Sequence, residues 1–197
     1  TGEDVTFTRA DGSTVAAIRY TITSTESGSA YGAMPSSSAG GGTSTKTDIL
    51  FVDKATQTTV LQREERWESK DDADKVTSSS ASIYDGTGQM IESRSSDASG
   101  FSSVYREFIE QREVDKIKVD DDGSYLFNSD GSYQLETETM SVRVQFNQSV
   151  DPRSGLYVSE HLYDPVTWNM LGGYEINQGK KTTYGQNWSI VDESVAV

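Results

Sequence analysis

Apolar and polar residues alternate along most of this 197-residue chain, and Asp-Gly dipeptides interrupt the alternation. The dipeptide stands at Asp11-Gly12, Asp85-Gly86, Asp122-Gly123 and Asp130-Gly131, between runs rich in Val, Ile, Thr, Tyr and Phe. A period of two places every second side chain on one face of a pleated strand. Asp-Gly supplies the positive φ of a tight two-residue hairpin, so each copy reads as strand, turn, strand. The pattern constrains architecture far more than it constrains chemistry.

Composition supports strands. Val and Ile number 25 and Thr adds 20, against 7 Leu. Branched side chains lose rotamer freedom in a helix and fit a pleated surface. The apolar supply is thin, because Leu, Ile, Val and Phe sum to 38. With a net charge of -14 this borders on the disordered class. The 10 Tyr and 3 Trp, together with the alternation, argue for a folded domain.

The expected fold is all-β: antiparallel hairpins and meanders forming a sandwich or open barrel, with at most one short helix. Residues 1–23 read as an N-terminal hairpin or arm, with Val15 and Ala17 facing inward. Residues 24–47 read as a Ser/Gly-rich linker or long loop, with Tyr31, Met34 and Pro35 as anchors, since so little apolar surface offsets ordering entropy poorly. Residues 48–197 form the main β domain. Within it Ser103–Arg112 is expected as the helix, because Val104 and Phe108, like Tyr105 and Ile109, stand four apart, with strand throughout residues 103–118 as the alternative. A strand from Val114 to Val119 follows. Gly172-Gly173 marks a bulge or a sharp bend, and Thr182–Val191 a late strand.

Several chemistries are excluded. No cysteine is present, so disulfides, thiolate metal sites and Cys nucleophiles are out. One histidine cannot build a zinc site without further His or Cys ligands. His161 shares a strand face with Tyr157, Ser159 and Tyr163, which places Ser159 poorly as a triad nucleophile. Lys and Arg are nowhere clustered, so nucleic acid is not expected. No cofactor is expected. Calcium is the one ion the acidic turns leave as a candidate, although counting back from Gly123 and Gly131 puts Lys118 and Leu126 where an EF-type loop needs oxygen ligands.

The aromatic residues Tyr157, Tyr163, Trp168, Tyr174, Tyr184 and Trp188 fall within 32 positions and are the candidate binding residues. Such rings fill a thin core or present a contact surface. Val5, Phe7 and Arg9 form a candidate strand-addition arm. The leading expectation is a non-enzymatic extracytoplasmic module, secreted, periplasmic or at the cell surface, acting by contact as an envelope protein, an adhesin or a structural assembly subunit. Its partner would be a protein or a second copy. The alternatives are a glycan-binding or glycan-cleaving module and an acidic cytoplasmic inhibitor of a basic partner. No membrane span is expected, since no apolar run approaches the roughly 20 residues that a spanning helix needs.

Overall fold

The computed structural model describes residues 2–9, 11–27 and 42–196. Tyr31, Met34 and Pro35 lie outside them. The chain is all-β: twelve strands run in sequence order as one antiparallel meander, and the sheet is not closed. Two compact units divide it, Thr1–Val104 and Tyr105–Val197. No helix among the described residues is long and apolar enough to cross a membrane.

The first unit contains β1 (Gly2–Thr8), β2 (Thr14–Ser27), β3 (Thr43–Asp53), β4 (Val60–Lys70), β5 (Val76–Asp85), β6 (Met90–Asp97) and the start of β7 (Ser102–Ile117). Among its described apolar side chains only Ala17 and Val52 are buried. This sheet rests on its ladders and on cross-strand pairs of hydroxyl and charged side chains. Residues 24–27 and 43–47, which read from sequence as ends of a linker, are strand. They pair from Ser24↔Lys46 to Ser27↔Thr43. Thr23 and Thr25 hydroxyls sit 3.4 Å from those of Thr47 and Thr45, and Ser44 meets Ser69 at 3.1 Å. Branched Thr and a third strand supply the order that apolar burial does not. Val5, Phe7 and Val15 belong to the β1–β2 hairpin, where Val5 faces Ala17 and Phe7 faces Val15. Phe7 also packs on Phe51, with ring centroids 5.4 Å apart. Arg9 lies just beyond β1 and closes the turn, its N–H donating to the Ser13 carbonyl.

The turns correct the two-residue reading. At Asp85 the Gly88 N–H donates to the Asp85 carbonyl at 3.0 Å, and the Asp85 N–H donates to the Gln89 carbonyl at 2.8 Å. Gly88 holds φ at 88°, so it is this glycine, not Gly86, that takes the left-handed conformation. The loop has three residues, with a left-handed position that ends the turn. The Asp85 carboxylate accepts the N–H groups of Thr87 and Gln89, closing the turn from inside. The same backbone pattern starts at Arg9, Asp71, Asp97, Asp120 and Asn128. At Gly12, Gly123 and Gly131 the glycine of the Asp-Gly pair does take the left-handed position, as the last residue of a three-residue loop, and only at Asp85 does a later glycine take it. Asp120 accepts from the Asp122 and Ser124 N–H groups, and Asp130 from Ser132, so these carboxylates are turn closures.

The second unit contains the rest of β7, then β8 (Leu135–Asp151), β9 (Gly155–Tyr163), β10 (Met170–Asn177), β11 (Lys180–Tyr184) and β12 (Ile190–Val195). The helix expected at Ser103–Arg112 is strand, part of the sixteen-residue β7. A separation of four fits a strand face as well as a helix face, since four is a multiple of two. The strand expected at Thr182–Val191 is interrupted by a one-turn segment, Gln186–Trp188, between β11 and β12. One face of this unit carries a small apolar cluster of Val114, Val142, Val144 and Leu171, with Met140 and Leu162 against it. The β9–β10 register shifts between Met170 and Gly172, just before the glycine pair, and Gly172 and Gly173 themselves pair regularly with Leu162 and His161.

Candidate functional site

Strand parity builds the other face of the second unit. Tyr163 on β9 lies opposite Arg143 on β8, His161 opposite Gln145, and Ser159 opposite Asn147. Across β9 on the far side, Gly173 of β10 faces His161 and Glu175 faces Ser159. Tyr184 of β11 then faces Gly173. The alternating partners, such as Val144 and Leu162, belong to the apolar face.

Two polar networks occupy this surface. In the first, Arg143 donates to Glu107 Oε1, and the Tyr105 hydroxyl and Gln145 Nε2 donate to Oε2, the latter at 3.2 Å. Glu107 is buried. Burial pushes its carboxyl up, but the three donors and the Arg143 charge outweigh that and hold it below the usual range. Burial and the same carboxylate push the Tyr105 phenol well up. The Arg143 guanidinium also lies 4.0 Å from the Trp168 ring centroid.

The second network centres on Glu175. Tyr157 donates to Oε1 and Tyr184 to Oε2, both at 3.2 Å. His161 Nε2 is 3.4 Å from Oε1, and this buried nitrogen has no hydrogen-bond partner. Burial lowers the imidazole pKa against the pull of Glu175. Trp188 packs edge-on to His161 at 5.0 Å and to Tyr184 at 5.6 Å, and Tyr163 bridges to Trp168 at 6.3 Å. Ser159 is buried, with the Asn147 amide 3.4 Å from its hydroxyl.

Of the six aromatic residues that the sequence nominates, Tyr157, Tyr163, Trp168, Tyr184 and Trp188 come together around His161. Tyr174 does not: it faces Glu160, one register position away from the Gly173–His161 pair, and so projects from the opposite face. There Lys181 sits 5.1 Å from its ring centroid. Sequence reasoning misses Glu107, Arg143, Gln145 and Glu175. Arg143 and Gln145 do alternate with Val142, Val144 and Phe146, which marks them as a polar face, but nothing local ties them to Glu107.

Trp168 and Trp188 stand apart from the buried groups. Each is 49% exposed, and each holds a left-handed backbone, with φ of 61° and 64°. A bulky side chain seldom adopts that conformation, which costs about 1 kcal/mol or more. Trp168 closes the Asp164 turn, its N–H donating to the Asp164 carbonyl at 3.0 Å. Among the described residues no group of three or more His, Asp or Glu side chains is placed to hold a metal ion. No protein-family model matches the chain, and no curated protein or solved structure matches it either.

Proposed function

We propose that this chain is a non-enzymatic, extracytoplasmic β module that acts by protein–protein contact, and that the Trp168–Trp188 face of the second unit makes that contact. One observation carries the reading. Two half-exposed tryptophans are held in a costly backbone conformation over a polar network that is already hydrogen-bonded and largely buried. Trp, Tyr and Arg are the residue types that dominate binding energy at protein interfaces, and here they are gathered and pre-positioned. The extracytoplasmic placement draws support from composition, with 48 Ser and Thr. A catalytic reading has less support: the one imidazole is buried against Glu175, and Ser159 is closed off beside Asn147.

The test is site-specific photocrosslinking in the cells that make the protein. A benzophenone amino acid replaces Trp168 or Trp188, with Tyr174 on the opposite face as control. A discrete adduct at 168 and 188, absent at 174 and removed by protease, is the expected result. No adduct, or the same adducts at 174, overturns the proposal. An adduct removed by glycosidases instead assigns the face to a glycan and overturns the protein reading.

A further inference from the structure

We propose that Glu175 and the rings around it receive a cationic side chain, lysine or arginine, presented by a basic segment of the partner protein. This rests on the contact reading above and names the partner's chemistry. Glu175 lies between β9 and β11, with Ser159 and Thr182 as register neighbours. Both carboxylate oxygens are oriented by tyrosine hydroxyls, and each oxygen retains acceptor capacity. The side chain is 30% exposed, so one side of the group is reachable.

Its neighbours leave it short of positive charge. Glu107, Glu110, Glu138, Glu160 and Glu193 of the same unit each pair with Lys or Arg. Among the described residues the one basic side chain within ion-pair distance of Glu175 is His161, which is nine-tenths buried and leaves Nε2 unpartnered and aimed at it. Tyr184 reaches the carboxylate through its hydroxyl, and the half-exposed Trp188 ring, packed on Tyr184 and His161, adds an aromatic surface to the same cluster. An oriented carboxylate flanked by aromatic rings suits an organic cation. An arginine fork would take both carboxylate oxygens, and a lysine one of them. A metal ion would need several further oxygen ligands. The net charge of -14 steers a basic partner inward and repels an acidic one.

The experiment titrates the purified full chain with hexa-arginine peptide by calorimetry at roughly 150 mM salt, where long-range attraction is largely screened. Glu175→Gln keeps the shape and removes the charge. Asp122→Asn removes the same charge from an exposed turn. Glu175→Gln should weaken binding about tenfold and Asp122→Asn less than about twofold, as expected for a short-range charged contact. Trp188→Ala should weaken it about fivefold. Equal losses in the two charge variants, or no binding by the unaltered chain, overturn the proposal. Should hexa-arginine fail while the Trp188 crosslink still forms, the contact reading stands and the cationic reading falls. Should Glu175-dependent binding persist while the crosslink is missing, the cationic site stands and the contact reading falls.

Discussion

Replacing Glu107 with alanine should destabilise the second unit by about 3–5 kcal/mol, the cost of breaking a buried ion pair. Arg143 would keep its charge and lose the carboxylate that neutralises it, and Tyr105 and Gln145 would lose their acceptor. A buried donor without a partner incurs its full desolvation cost. The Trp168 ring would remain to face the guanidinium. Glu107→Gln keeps an acceptor and should cost about half as much. Urea unfolding followed by tryptophan fluorescence measures both. Because the folded carboxyl lies below its ordinary 4.5, its contribution is complete above that value and is lost as pH falls through the lowered one. A loss under about 1 kcal/mol for Glu107→Ala would mean that the pair is solvated rather than buried.

Gly173→Ala should cost about 2–4 kcal/mol, combining backbone strain at positive φ with overpacking. Gly173 holds φ at 154°, and an added Cβ would overlap the Glu160 carbonyl oxygen and approach the His161 Cα to 2.9 Å. The His161 ring itself lies 3.0 Å from that point, so the substitution also pushes the imidazole off its seat between Trp188, Tyr184 and Glu175. The neighbouring Gly172 is the control. Its added Cβ would meet only the Tyr184 carbonyl oxygen, at 3.4 Å, and Gly172→Ala should cost under about 1 kcal/mol. Similar costs at the two positions would show that His161 does not lie over Gly173.

The strands are legible in the sequence because alternation is local. Tyr157, Ser159, His161 and Tyr163 share a face by parity alone, and Gly172-Gly173 marks the neighbourhood of an irregularity that falls one residue earlier. What joins strands is not legible. Glu107 meets Arg143 and Gln145 across 36 and 38 residues, through a register that no local pattern states. Tyr174 shows the same limit, because its face depends on pairing with Glu160 and not on its own strand. Val104 and Phe108 mislead because a four-residue spacing satisfies both periods. Trp188 reads as strand because Gly185 and Asn187 form no recognised turn pattern, and a left-handed backbone has no sequence signal in a tryptophan.

The polar face of the second unit stands assembled around His161 before any partner arrives. His161 is the only histidine, so its ring protons give one unambiguous pair of signals in a proton NMR titration. Those signals should be displaced by the rings of Trp188, Tyr184 and Tyr163 and should titrate with a midpoint below 6.5. Since the unfolded imidazole takes its proton first, stability should decline as pH falls below 6.5 towards the lowered folded value, and stay flat above it. Undisplaced ring signals with a midpoint at or above 6.5 would contradict this assembly.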